Sequence, residues 1–193
     1  TEEEESQRRQ AEFNERTQHF VDTMNVDEMV AQLLVSEGFT NLEEVAYIEL
    51  DELSGIEGFD EETAEELQAR AREYLEEQAA QALARARELG AEERLIDFEG
   101  LTPQMILALA EDGVTTLEEF ATCADWELAG GYTTDAEGRR VKDDGILEPF
   151  DVSLEEAQTL VMNARIALGM VDPADLVSDE AETETEEEAA PQA

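Results

Sequence analysis

The side chains here that could do chemistry are nearly all carboxylates. The 193 residues hold 52 Asp and Glu against 12 Lys and Arg, a formal net charge of −40, with one His (His19) and one Cys (Cys123). Pairs such as Glu43 and Glu44 offer acid–base or metal-binding oxygens. They stand without a nucleophile, a Gly-rich phosphate loop or a His/Cys cluster to work with. A single Cys excludes an internal disulfide and a multi-cysteine zinc site. His19, beside Phe20, reads as a surface or edge residue, and Cys123 as a small core residue. The expectation is therefore a non-enzymatic chain with no cofactor and no metal. Fixed carboxylates at this density have another use: they imitate the phosphate array of a nucleic acid and can occupy a basic protein face in its place. The same charge repels phosphate, which argues against direct nucleic-acid binding. The four acids of Glu2–Glu5 and the seven between Asp179 and Glu188 are a minor part of the 52, so the middle of the chain is itself acidic.

The candidate partner-binding residues lie in the second half: Glu118 and Glu119 early in one helix, Asp125, Trp126 and Glu127 in the next, and Asp151, Glu155 and Glu156 at the start of the last. Carboxylates at helix starts also serve simply as partners of the helix dipole. Trp126 reads either as a partner anchor or as cover for a neighbouring loop. Arg139, Arg140 and Lys142 gather three of the 12 bases in one loop. They either compensate nearby acids or meet an acidic partner.

The elements that hold these residues are helical. Phe13, Phe20, Val21 and Met24 share one face at 3.6-residue spacing, and Met29, Val30, Leu33 and Leu34 share another. Gly38 stands where a left-handed residue ends that second helix. Thr40 and Glu43 form a Thr-x-x-Glu capping box for the third. Glu61 to about Leu89, dense in Ala, Glu, Gln, Leu and Arg, reads as one long helix. Thr102 with Pro103, and Ser153 with Glu156, open two more. No convincing period-two strand is found.

Sliding the chain against itself exposes a repeat. The segment from Glu37 to Ala46 falls on Asp112 to Ala121, and Glu52-Leu53-Ser54-Gly55 on Glu127-Leu128-Ala129-Gly130, at an offset of 75. Further on, Ala64, Leu67, Ala71 and Arg72 fall on Ala157, Leu160, Ala164 and Arg165 at an offset of 93, so copy two carries about 18 extra residues. Their turn-rich stretch, about 131–149, reads as a loop or small hairpin.

Each copy has the grammar of helix-hairpin-helix units, two short helices meeting at glycine turns: Gly38, Gly55 and Gly58 in copy one, Gly113 and Gly130 in copy two. In nucleic-acid-binding versions the turn amides and a nearby cation hold a phosphate. Here Glu57, Asp60, Glu61 and Glu62 surround the turn, and no Lys or Arg occurs between Arg16 and Arg70 or between Arg94 and Arg139.

With EGFTNLEEVAYIELDELSGIEG and FEGLTPQMILALAEDGVTTLEEFA in view, the chain, from about Phe20 to Gly169, resembles the C-terminal acidic repeats of the NusA family of bacterial transcription termination/antitermination factors. The resemblance implies a regulatory module in the cytoplasm. Its second repeat would dock on the KH/S1 RNA-binding region of the parent protein and be drawn off by the C-terminal domain of the RNA polymerase α subunit. Its first would offer a site to an antitermination protein. The rivals are a helix-hairpin-helix nucleic-acid-binding module of a repair or replication protein, and an acidic scaffold.

The expected architecture is all-α: a disordered acidic N-terminus (1–8), a first repeat (9–89), a linker (90–94), a second repeat with the insertion (95–172) and a disordered acidic tail (173–193). No stretch approaches the roughly 20 apolar residues of a membrane span. The opening at Thr1 without Met reads as a piece of a longer cytosolic protein.

Overall fold

The computed structural model describes residues 1–175. They divide into two compact units, with the boundary between Ala80 and Gln81. Unit 1 contains α1 (Glu2–Met24), α2 (Glu28–Ser36), α3 (Leu42–Tyr47), α4 (Leu50–Ser54) and the first part of α5 (Glu61–Glu88). Unit 2 contains the rest of α5, α6 (Glu93–Ile96), α7 (Pro103–Glu111), α8 (Leu117–Thr122), α9 (Asp125–Ala129), a two-stranded antiparallel hairpin of β1 (Gly131–Thr134) and β2 (Arg140–Asp143), a 3-10 turn (Glu148–Phe150) and α10 (Leu154–Ala167). The chain is mostly helical, and the turn-rich insertion forms the small hairpin that was one of its two readings.

The two cores are built alike. Phe20, Leu34, Val45, Leu53, Ala64 and Ala71 are fully buried in unit 1, and Leu95, Leu109, Phe120, Leu128, Ala157 and Ala164 hold the same register in unit 2. The alanines sit where neighbouring helices pass close. In each unit one arginine fixes the last helix to the third: Arg72 Nε donates to the Ala46 carbonyl at 2.9 Å, and Arg165 Nε to the Ala121 carbonyl at 2.9 Å. Both repeat offsets are thus reproduced by a single interaction.

The turns follow the same logic with one adjustment each. Gly38 and Gly113 take φ of 99° and 88°, where a Cβ is disfavoured, and end α2 and α7. The box before α3 lies one residue later than Thr40/Glu43: Asn41 is the N-cap and receives the Glu44 amide at 2.9 Å, while the Glu44 carboxylate receives the Thr40 amide at 2.8 Å.

The insertion is narrower than 131–149. Ile56 N donates to Leu53 O in unit 1 and Leu147 N to Leu128 O in unit 2, and the bonds Phe59 N to Ile56 O and Phe150 N to Leu147 O also correspond. Residues 131–146 therefore enter between the equivalents of Gly55 and Ile56. Two more residues, Asp151 and Val152, precede the Ser153 cap. Gly145 is pressed against this seam, where a Cβ would lie 2.2 Å from Gly130 N and 2.3 Å from Leu128 O.

Two of the expected segments differ from expectation. Residues 1–8 are helical rather than disordered: Glu2–Glu5 sit at the positive end of α1, and Arg9 pairs with Glu5 and Arg8 with Glu12 one turn apart. Local electrostatics hold a helix there without burial. Residues 90–94 are not a linker but part of the second core, since Ala91 is buried, Glu92 N donates to Thr115 O at 2.9 Å and Glu93 receives Arg87 at 2.7 Å. Of the tail assigned to 173–193, all but residues 173–175 lies outside the described residues.

Candidate functional site

Unit 2 distributes the candidate residues along α10. At the C-terminal end, Glu118 pairs with Arg94 at 3.3 Å, and Arg94 also donates to the Ala167 carbonyl. Midway, Asp125 of α9 receives the side-chain amide of Gln158. At the N-terminal end stand Asp151, Glu155 and Glu156. Gln158 and Ala167 are nine residues apart, about 13 Å along the helix, so the eight residues form no single patch.

Several of these carboxylates are occupied by the scaffold. Glu119 accepts from the Thr115 and Thr116 amides at 2.8 and 3.2 Å while Thr116 caps α8 in return. Those backbone donors hold the Glu119 carboxyl below its ordinary value. Glu127 receives the Ala124 amide at 2.7 Å, and Glu156 closes the capping box with Ser153 at 2.8 Å. Asp151, in a left-handed conformation at φ 56°, and Glu155 have no side-chain partner among the described residues. Trp126 is 46% exposed, which leaves it open to a partner. The glycines Gly38, Gly58, Gly113 and Gly130 adopt positive φ, whereas Gly55 is in the ordinary right-handed region at φ −74°.

Most of the cations are occupied too, Arg16 being without a partner among the described residues. Arg70 donates to the carbonyls of Met24 and Asn25 and pairs with Glu66, and Arg72 and Arg165 hold backbone carbonyls. In the hairpin, Arg139 pairs with Asp135 and Glu137, Lys142 with Glu148 and Asp144, and Arg140 lies 4.2 Å over the Tyr132 ring. Among the described residues no three potential metal ligands come together, and no helix is long and apolar enough to cross a membrane. Cys123 is buried, and burial pushes its thiol up to about 11.

The charge pattern did not reveal a groove of about 430 Å³ beside Asp151 and Glu155, walled by Gly100, Met105, Phe150 and Leu160. Its sequence signal is the repeat register, which puts Asn163 where copy one has Arg70.

Residues 26–73 and 92–129 match a family described as a SAM-like helix-hairpin-helix tandem. The chain is 40% identical over 119 residues to the transcription termination/antitermination protein NusA of Rickettsia prowazekii (strain Madrid E), and equally to that of Rickettsia conorii (strain ATCC VR-613 / Malish 7). The chain matches the C-terminal repeat region of NusA. The match covers 62% of the chain and 24% of either NusA relative, so it spans about a quarter of their length. The two matched helix-hairpin-helix segments fall one in each structural unit.

Proposed function

We propose that this chain is a non-enzymatic regulatory module of a NusA-like elongation, termination and antitermination factor, acting in the cytoplasm through acidic protein–protein contacts. One observation carries the reading. Arg70, Arg72, Arg94 and Arg165, on the helices that close the two hairpin scaffolds, are engaged by carbonyls or carboxylates of their own unit, which leaves Arg16 of α1, near Thr40, as the one cation beside a hairpin turn without a partner among the described residues. The turns where a helix-hairpin-helix unit would hold phosphate are left facing carboxylates.

The mechanism is competition for a basic surface. Tethered to the KH/S1 RNA-binding region of a parent protein, the carboxylates of unit 2 would face it at an effective concentration that reaches the millimolar range. They would thereby hold RNA binding in check. The C-terminal domain of the RNA polymerase α subunit, binding the same unit, would release it, and unit 1 would offer a separate site to an antitermination protein. Asp151, Trp126 and Glu155 are the members of the candidate set most open to a partner, with Glu118, Glu119, Asp125, Glu127 and Glu156 shaping the field around them.

The test is an NMR titration of the isotope-labelled chain with the α C-terminal domain at two salt concentrations. Saturable shifts within residues 81–175 that weaken at higher salt support the mechanism. Absence of shifts at low salt refutes it. Duplex DNA in the same assay should give a flat response, and salt-sensitive DNA binding would favour a nucleic-acid module instead.

A further inference from the structure

The same groove occurs once in each unit, and an arginine spans only one of the two. In unit 1 it runs past Asn25, Val30, Thr63 and Leu67; in unit 2 the equivalents Gly100, Met105, Glu156 and Leu160 line it. Arg70 forms part of the wall of the first. Its guanidinium reaches across from α5, donates to the Met24 carbonyl at 3.3 Å and the Asn25 carbonyl at 2.7 Å, and pairs with Glu66. In the same unit Phe59 and Leu67, the latter lining the groove, are buried at 8% and 3% exposure.

In unit 2 the repeat register replaces this arginine by Asn163, which is exposed and lies beside Glu99. Among the described residues no donor reaches the Glu99 or Gly100 carbonyl, the equivalents of those held by Arg70. Phe150 and Leu160 are correspondingly only partly buried, and the volume rises from about 310 to about 430 Å³. The rim carries Asp151, Glu155 and Glu156, with Gly100 in the wall, so an apolar floor is bordered by negative charge. The chemistry that fits is an apolar side chain next to a guanidinium.

We propose that the groove of unit 2 receives an arginine-bearing amphipathic segment of a partner protein, its guanidinium taking the place that Arg70 fills in unit 1. This rests on the reading that the repeats bind basic proteins, and it locates the contact. Arginine suits the site better than lysine, because its planar fork can meet two adjacent carbonyls together while its stem covers apolar surface.

The experiment uses the full 193-residue chain and a labelled amphipathic helical peptide carrying Leu and Arg on one face. The control is the same peptide with citrulline, a neutral isostere, for every Arg. Binding of the Arg peptide should perturb Phe150 and Leu160, and the citrulline peptide should bind at least about tenfold more weakly. Asn163→Arg, at an exposed helix position, installs the missing clamp and should reduce binding by about tenfold or more, and Glu155→Lys should do the same. Arg70→Asn should open the groove of unit 1 and raise the stoichiometry from one peptide to two. Equal binding of the citrulline peptide, or wild-type affinity in Asn163→Arg, overturns the assignment. If the α C-terminal domain binds Asn163→Arg as well as wild type, the groove fails and the function stands. If the Arg peptide is blocked by Asn163→Arg but the α domain never binds, the function fails and the groove stands.

Discussion

Arg72 and Arg165 show what a positive charge does in a chain this acidic: each is turned inward to hold one carbonyl of its own unit. Arg165→Ala should lower the urea-unfolding free energy of unit 2 by about 1.5–3 kcal/mol, the range for a hydrogen bond to a charged group. Lys at the same position should not restore it, because the bond is made by Nε rather than by a terminal charge. Glu119 gives a pH-dependent counterpart. Its folded pKa is lowered from 4.5 by the Thr115 and Thr116 amides, so its contribution is complete above the unfolded value and is lost as the pH falls through the folded one. The stability difference between wild type and Glu119→Gln should therefore be flat above about pH 5.5 and shrink below about pH 4.5. A difference that grows on acidification would contradict the assignment. Cys123, with its thiol raised from 9.0 to about 11, should hold about 100-fold less thiolate near pH 8 than an unperturbed group. It should react slowly with a thiol reagent in the folded chain and rapidly in denaturant.

At the scale of elements, the hairpin is held at its base and nowhere else in the core. Ile146 N and Leu147 N donate to the carbonyls of Glu127 and Leu128, and Gly145 packs against the backbone of Gly130. Gly145→Ala should destabilise unit 2 by about 1–3 kcal/mol through overpacking, read by thermal unfolding. Deleting residues 131–146, which joins Gly130 to Leu147, should recreate the turn of unit 1 and leave the helical circular dichroism and cooperative unfolding in place. Much of this architecture is legible in the sequence, because Gly38/Gly113, Leu53/Leu128 and Arg72/Arg165 repeat in type as well as spacing. The hairpin is legible only as one of two options for a turn-rich stretch, since Tyr132 to Thr134 and Arg140 to Lys142 are short, polar and exposed, and so lack an apolar alternation. The first turns of α1 were hidden because charge density predicts disorder from burial alone and overlooks the helix dipole and ion pairs. At the site, sequence located the carboxylates but not their employment: Glu119 and Asp151 look alike until one is seen capping a helix and the other standing free.

For the whole molecule, charge −40 means that repulsion among carboxylates opposes folding and association with acids while favouring association with bases. Because the Debye length shrinks from about 30 Å at 0.01 M salt to about 10 Å at 0.1 M, added salt should raise the melting temperature of the free chain. The same addition should weaken any complex with a basic partner. Calorimetry of the chain alone and of a mixture would reveal the two opposite trends, and parallel trends would show that charge does not drive the association. The seam at Gly130 and Leu147 has a consequence of another kind. Sixteen residues leave the helical scaffold and re-enter it across neighbouring hydrogen bonds, so the length between these points is decoupled from the fold. Such a place is a socket: a fluorescent tag, an affinity epitope or a small independently folding domain could be spliced there in place of the hairpin, and the scaffold around it would register the exchange only as a longer loop.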